Sequence, residues 1–298
     1  MLFLLHWLAR RSLRFLHALG ATLGWLAYAL SPGYRRRVAK NASRAGITAE
    51  QRRQSVGEAG KMATEGLRLW FRPPGQPIAD PVQWQGEELI EQALAQGRGL
   101  VFLTPHLGSF ETTAQAYAER YGARKPITVM FRPSRHPMLR QLQEEARART
   151  ALAAVPASLG GVRQMLRALK RGEAVGLLPD QVPPQGMGVW ADFFGKPAYT
   201  MTLAARLAQQ SGAPIVLAWC ERLPQGRGFH LRLSPLAEAL PTQGEDAEAL
   251  QAAQAAVINR AMEQLILQCP QQYLWGYNRY KGPRRAEPAA SLPPPGAA

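Results

Sequence analysis

Short apolar runs alternate regularly with helical stretches after residue 99, and this alternation limits the possible folds more than any other feature. Apolar runs of this length, bounded by glycine, proline or polar residues, are typical of buried strands. The predicted strands are 100–103, 127–131, 175–178, 214–219 and 229–233. The predicted helices are 49–70, 87–96, 111–121, 138–150, 161–171, 201–210 and 247–269. Strands separated by helices predict an α/β fold with a mostly parallel or mixed central sheet, flanked by helices on both faces.

Positive charge is concentrated near the N-terminus. The chain carries a net charge of +15, and no acidic residue precedes Glu50. Eight basic residues lie in that segment: Arg10, Arg11, Arg14, Arg35, Arg36, Arg37, Lys40 and Arg44. This charge indicates an anionic partner. Nucleic acid is disfavoured, because no zinc finger, RNP-type motif or basic–aromatic alternation accompanies the charge. The charge instead flanks an apolar segment, which favours a membrane surface.

That apolar segment runs from Phe15 to Leu30 and is shorter than the roughly 20 residues that a spanning helix needs. A cleaved signal peptide would fit the Ala27-Tyr-Ala29 site, but the three arginines at 35–37 would resist translocation. A buried helix of a soluble domain is a second alternative. We favour an uncleaved N-terminal membrane anchor, which spans the bilayer or lies in its interface with its basic flanks on anionic headgroups.

The chain is long enough for one large domain with terminal additions. We predict the anchor over residues 1–34, a single α/β domain over 35–282 on the cytoplasmic side, and a disordered Pro/Ala-rich tail over 283–298.

A histidine and a glutamate stand four residues apart directly after the predicted strand 100–103. The sequence there is Thr104-Pro-His-Leu-Gly-Ser-Phe-Glu111, so His106 lies at the carboxyl end of the strand and Glu111 in the first turn of the next helix. Open α/β sheets carry their chemistry at that edge. An imidazole there, oriented by a carboxylate, is suited to take a proton from an alcohol. A structural hydrogen bond is the simpler alternative for a strand-end histidine.

Two further predicted strands end in polar residues. Arg132 follows strand 127–131 and Asp180 follows strand 175–178, each beside a proline. Ordinary turn residues would explain either one alone, but three consecutive strand ends predict a shared site with His106. Arg149 lies near the end of a predicted helix. It either faces solvent or supplies a cation for phosphate or for a developing oxyanion.

Several functional classes are disfavoured by the motifs that the chain lacks. No nucleophile elbow, Walker loop or dinucleotide fingerprint occurs, which argues against a hydrolase, a kinase and a dehydrogenase. Two cysteines without a zinc-ligand spacing are predicted to be buried apolar residues. Trp190, Phe193 and Phe194 either line an acyl-chain tunnel or belong to the core.

Five blocks of the sequence together resemble the lipid A biosynthesis late acyltransferases (lauroyl and myristoyl transferases), within the wider lysophospholipid acyltransferase superfamily. The blocks are 104–111, 131–137, 165–181, 193–197 and 273–281. The resemblance implies that His106 is the catalytic histidine, Glu111 its carboxylate partner and Asp180 a third acidic residue of the site. It also implies that Arg149 falls on a basic position of the family. The stretch 150–160 departs from the family in being unusually apolar.

The resemblance further implies an acyl carrier protein thioester as donor and a lipid A precursor as acceptor, at the cytoplasmic face of the bacterial inner membrane, with no metal or organic cofactor. We therefore predict an O-acyltransferase in which His106 is the general base, Glu111 orients it and Asp180 is a positioning residue. Backbone amides of Gly108 and Ser109 are predicted oxyanion donors.

Arg132 and Arg149 are assigned to phosphate groups of the acceptor or of the carrier's phosphopantetheine arm. The alternatives are an acyltransferase for a lysophospholipid or another amphipathic lipid, and a catalytically silent membrane-binding protein.

Overall fold

The computed structural model describes residues 2–73, 76–78, 82–131 and 151–284. The helices of these residues are α1 (Leu2–Ala9), α2 (Leu13–Leu30), α3 (Pro32–Arg44), α4 (Ala49–Phe71), α5 (Glu88–Ala95), α6 (Phe110–Tyr121), α7 (Leu159–Lys170), α8 (Leu203–Ser211) and α9 (Ala247–Gln268). The strands are β1 (Val82–Gln85), β2 (Leu100–Leu103), β3 (Ile127–Phe131), β4 (Leu152–Pro156), β5 (Ala174–Leu177), β6 (Gly188–Phe193), β7 (Lys196–Met201), β8 (Ile215–Arg222) and β9 (Phe229–Pro235). The predicted helix 138–150 and the tail from residue 285 lie outside the described residues.

Most strands form one mixed sheet in the order β1-β9-β8-β2-β5-β3-β4. Neighbouring strands run parallel except β8 and β9, which are antiparallel. The predicted α/β fold with a mostly parallel sheet is confirmed. Strand β2 lies between β8 and β5, so the residues that follow β2 and β5 emerge side by side at one edge.

Helices cover both faces of this sheet because side chains alternate along each strand. Val101 and Leu103 of β2 pack into one core with α7, α8 and α9, whereas Leu100 and Phe102 pack into a second core with α5 and α6. A strand that is buried at every position, as β2 is, needs cover on both sides.

The β6–β7 hairpin was not predicted, and it decides the role of the aromatic residues in this region. The two strands pair antiparallel as a separate sheet, and Phe194 and Gly195 make the turn with positive φ angles. Alternation along β6 exposes Trp190 and buries Phe193 in the first core. None of the three aromatic residues is among the described residues that line the apolar cavity of the site. Of the two alternatives for these aromatic residues, the structure supports the core for Phe193.

Helix α2 lies along α4, and three glycines allow their backbones to touch. A Cβ atom on Gly20 would lie 2.5 Å from the carbonyl oxygen of Gly60, and one on Gly60 would lie 1.9 Å from that of Gly20. Gly24 approaches Val56 in the same way. Gly20 and Gly24 thus pack closely against a helix of the same chain.

The opposite side of α2 is apolar and exposed. Leu26 and Leu30 are 53% and 74% exposed, and Phe15 and Leu23 are exposed beside them. Among the described residues, no helix combines the length and the apolar character that crossing a bilayer requires. Helix α2 thus packs on its domain through one face and presents large apolar side chains on the other.

Candidate active site

His106 lies in the turn after β2, and Asp180 lies in the turn after the neighbouring strand β5. The His106 backbone N–H donates to Asp180 Oδ2 at 2.9 Å, and His106 Nδ1 lies 2.7 Å from Asp180 Oδ1. One carboxylate therefore holds both the backbone and the ring of the histidine. The order of the strands in the sheet brings these two predicted site residues together.

Asp180 is buried and ionised. Burial alone would raise the pKa of its carboxyl group, but the charge and hydrogen bonds of His106 and the nearby Arg279 hold that pKa below its usual value. Tyr273 Oη donates a further hydrogen bond to Oδ2 at 3.2 Å. An ionised carboxylate only accepts hydrogen bonds, so the proton of a neutral His106 ring lies on Nδ1. The lone pair of the ring is then on Nε2.

Gln181 contacts that lone pair. Its side-chain Nε2 lies 2.9 Å from His106 Nε2, and the amide donates because the ring nitrogen is unprotonated. The ring of Phe110 packs against the imidazole, with 4.7 Å between the ring centres. Both ring nitrogens and one ring face of His106 are therefore fixed by neighbours.

An apolar cavity of 440 Å³ opens beside the imidazole. His106, Phe110 and Gln181 are among its lining residues. The remaining wall is mostly apolar and comes from β2, β3, β5, α6, the start of α7, the loop before β6 and the start of α8, which adds Arg206. A linear hydrocarbon chain fits such walls, and a reacting group at its end would meet the histidine.

Glu111 lines the same cavity from the first turn of α6. It is not the carboxylate that orients the ring, since Asp180 occupies Nδ1 and Gln181 contacts Nε2. The carboxylate bonded to the ring nitrogen is that of Asp180, where the sequence predicted that of Glu111. The reason is geometric: the ring points back over the sheet towards β5 rather than along α6.

The amides of Gly108 and Ser109, the predicted oxyanion donors, have partners within the fold. The Gly108 N–H donates to the carbonyl oxygen of Gln272 at 3.0 Å, and the Ser109 N–H donates to that of Cys220 at 2.7 Å. Neither residue lines the cavity. These hydrogen bonds tie the turn to β8 and to the segment before Tyr273.

A buried ionic network connects this turn to the N-terminal helices. Arg222 of β8 donates to Glu65 of α4 through Nε and Nη2, both at 2.7 Å, and to the Gly108 carbonyl oxygen at 3.1 Å. His17 of α2 lies 2.9 Å from the same glutamate. Although burial opposes its ionisation, Arg222 keeps the pKa of Glu65 at about 2. The opposite charges of Arg222 and Glu65 compensate each other, so neither is left as an unpaired charge inside the fold.

The remaining predictions concern two arginines, the two cysteines and a metal site. Arg132 and Arg149 lie outside the described residues. Cys220 and Cys269 are free and buried, as predicted. In the described ranges, no three His, Cys, Asp or Glu side chains are grouped as a metal ion would need.

Two residues of the site were not predicted as such. Tyr273 comes from the far end of the chain, and Gln181 adjoins Asp180 in the same turn. The Pro-Asp-Gln sequence after a strand was the available signal for Gln181.

Known proteins with related sequences point to one kind of chemistry. The family described as bacterial lipid A biosynthesis acyltransferase matches residues 1–282 of the chain. The chain is 31% identical over 229 residues to a lipid A biosynthesis lauroyltransferase of Escherichia coli K12, covering 76% of this chain and 70% of the relative.

Two other relatives are less similar. The chain is 27% identical over 239 residues to a lipid A biosynthesis palmitoleoyltransferase of Escherichia coli K12, covering 78% and 74% of the two chains. It is 28% identical over 170 residues to a phosphatidylinositol mannoside acyltransferase of Mycobacterium tuberculosis, covering 56% and 51%.

Proposed function

We propose that this chain, which belongs to the bacterial lipid A biosynthesis acyltransferase family, moves a fatty acyl group from an acyl carrier protein thioester to a hydroxyl group of a lipid A precursor. The observation that carries this proposal is the His106–Asp180 pair at the mouth of an apolar cavity. The pair supplies a base for the hydroxyl group, and the cavity supplies a place for the acyl chain. The reaction needs no metal or organic cofactor.

In the proposed reaction, His106 Nε2 removes the proton of the acceptor hydroxyl group as its oxygen attacks the thioester carbonyl carbon. Asp180 holds the Nδ1–H tautomer and stabilises the imidazolium that forms. The tetrahedral intermediate collapses by breaking the C–S bond, and the proton on Nε2 passes to the leaving thiolate. General-base catalysis of this kind contributes about 10²–10⁴-fold.

A carrier protein as donor is supported by the outer face of α7. Arg163, Arg167 and Lys170 form an exposed stripe, and α7 contains no acidic residue. None of the three has an ion-pair partner among the described residues. Leu159, at the start of the same helix, lines the cavity and is 71% exposed. An acidic carrier bound to this stripe would therefore stand beside the entrance through which its acyl chain must pass.

The acceptor is proposed to lie on the other side of the reacting centre. Glu111 contacts its polar groups, and Arg132 and Arg149 bind its phosphates. The exposed apolar side of α2, with the basic residues around it, is proposed to dock on the cytoplasmic leaflet of the bacterial inner membrane, where a lipid acceptor resides.

An assay of the full-length protein with two donors and two acceptors tests the function. Acyl carrier protein and coenzyme A thioesters are each offered with a phosphorylated disaccharide lipid and with a lysophospholipid. We expect transfer from the carrier to the disaccharide, and its loss in His106→Ala protein that remains folded. Transfer only to the lysophospholipid would identify a different acceptor, and no transfer in any combination would contradict an enzyme.

Charge reversal on α7 tests the donor separately. Arg167→Glu should raise KM for the carrier thioester and leave turnover of a free pantetheine thioester unchanged. Arg227→Glu is the matched control, because Arg227 is an exposed arginine of the turn between β8 and β9, and this turn packs on α2 rather than on α7.

A further inference from the structure

The proposed reaction places negative charge on the thioester carbonyl oxygen, and the two amides that the sequence suggested for it are already used within the fold. Gly108 and Ser109 donate their N–H groups to Gln272 and Cys220. Removing one oxyanion donor from an acyl-transfer enzyme typically costs about 10²–10³-fold in kcat, so the donor matters to the chemistry. A side-chain donor that lines the cavity beside the base can supply it.

Gln181 has the required position. Its amide nitrogen lies 2.9 Å from His106 Nε2, the atom that must receive the hydroxyl proton. It is half-buried and lines the cavity together with His106 and Phe110. The contact also means that the base is occupied in the resting enzyme, because a donor N–H points at its lone pair. The acceptor hydroxyl group cannot bind to Nε2 until this hydrogen bond is broken.

We infer that Gln181 is a further catalytic residue: it covers the base in the resting enzyme and, once the acceptor hydroxyl group has displaced it, donates to the thioester oxygen. The inference rests on the proposed acyl transfer. The side-chain amide of Gln181 would thus perform two tasks in sequence. Once displaced from His106 Nε2, its N–H group lies beside the atoms that react.

The step balances without any other reactant. The hydroxyl O–H bond breaks and its proton goes to His106 Nε2, while a new C–O bond forms. The carbonyl π electrons move to the oxygen, which accepts the hydrogen bond from Gln181. When the carbonyl re-forms, the C–S bond breaks, the thiolate takes the proton from Nε2, and the amide returns to the free base.

Three substitutions separate this role from simple packing. Gln181→Glu keeps the shape but removes the N–H donor and adds negative charge, and Gln181→Ala removes the side chain. Both should lower kcat by about 10²–10³-fold. Neither should raise KM for the acceptor, and Gln181→Ala should lower it, because the contact that the acceptor must displace is gone. Gln185→Ala is the matched control, because Gln185 is an exposed glutamine in the same loop that does not line the cavity. It should retain the kinetic constants of the wild type.

Chemical modification tests, without any substrate, whether Gln181 covers Nε2 of His106. Diethyl pyrocarbonate reacts with an unprotonated imidazole nitrogen, and peptide mass mapping reports the rate at His106. This rate should rise in Gln181→Ala and stay constant in Gln185→Ala.

Wild-type kcat in Gln181→Glu, or a change confined to KM, would overturn the oxyanion role. An unchanged modification rate in Gln181→Ala would overturn the covering role. In either case a fully inactive His106→Ala would leave the proposed acyl transfer standing, whereas an active His106→Ala would contradict the transfer mechanism itself.

Discussion

The carboxylate of Asp180 is 1% exposed and accepts three hydrogen bonds. These bonds hold its negative charge beside the ring of His106. Its charge fixes the tautomer of His106 and compensates the imidazolium during the proposed reaction. A neutral side chain of the same shape would retain the packing but not the charge. The orientation and the electrostatic support of the base therefore depend on one residue.

Asp180→Asn tests this dependence. The amide can donate to Nδ1 and would place the ring proton on Nε2, so the lone pair would no longer face the substrate. We expect kcat to fall by about 10⁴-fold, as for an aspartate-to-asparagine change in a catalytic triad. Steady-state kinetics with the carrier thioester, together with circular dichroism to verify the fold, provide the measurement.

Glu111→Gln is the comparison, since Glu111 lines the cavity but does not contact the ring through Nδ1 or Nε2. We expect mainly a higher KM for the acceptor and a smaller change in kcat. A larger loss of kcat in Glu111→Gln than in Asp180→Asn would return the orienting role to Glu111.

For single residues, the sequence predicts which side chains lie near the site better than it predicts which side chains they are hydrogen-bonded to. His106 was predicted from the strand that precedes it and the proline beside it, both local signals. Its contact with Asp180 joins residues 74 positions apart and depends on β5 being the neighbour of β2. A motif within one segment favours the partner that is close in sequence, which is why Glu111 was assigned the orienting role.

The sequence predicts those strands of this fold that are short, mostly apolar runs. β2 and β3 are short apolar runs, and their predicted bounds match the structure. The edge strand β1 has the sequence Val-Gln-Trp-Gln, and half of it faces solvent, so no apolar run marks it. The β6–β7 hairpin forms its own two-stranded sheet on α9 and likewise lacks a continuous run. Pairing, rather than composition, makes these segments strands.

The packing of α2 on α4 provides a prediction about elements. Gly60→Ala would bring a methyl group against the backbone of Gly20, where neither helix can yield without separating. Overpacking of this kind costs about 1–3 kcal/mol. We expect a lower free energy of unfolding and faster proteolytic cleavage at the N-terminal helices.

Gly66→Ala is the control on the same helix. A Cβ atom there meets nothing within 4 Å. Replacing a helical glycine by alanine then stabilises by about 0.5–1 kcal/mol, without a collision. Equal stability of the two variants would show that the glycine contact does not hold α2 in place.

On the scale of the whole molecule, the N-terminal helices and the catalytic turn form one connected body. The ionic network runs from His17 of α2 through Glu65 and Arg222 to the carbonyl oxygen of Gly108, two residues after His106. A helix that docks on a membrane through its outer side would therefore hold the catalytic turn at a fixed position relative to the lipid surface. The sequence predicts the apolar and basic character of this region, but not that the helix packs on its own domain.

The exposed side of α2 gives the last prediction. Leu26→Ser and Leu30→Ser change side chains that make little contact with the protein, so the free energy of unfolding should change by no more than about 0.5 kcal/mol each. If these side chains enter the bilayer interface, each substitution should weaken vesicle binding by roughly 1 kcal/mol, which is about fivefold in the partition coefficient. Sedimentation with vesicles of phosphatidylglycerol and phosphatidylethanolamine measures this change.

Leu267→Ser is the matched control, because Leu267 is a leucine with 50% exposure that belongs to a different helix, α9. It should leave vesicle binding unchanged. Transfer to an acceptor embedded in vesicles should fall in the α2 variants, while transfer to a short-chain soluble acceptor should not, because docking and chemistry use different surfaces. Loss of both activities would mean that α2 supports the fold of the site, and loss of neither would mean that the protein reaches its acceptor through another face.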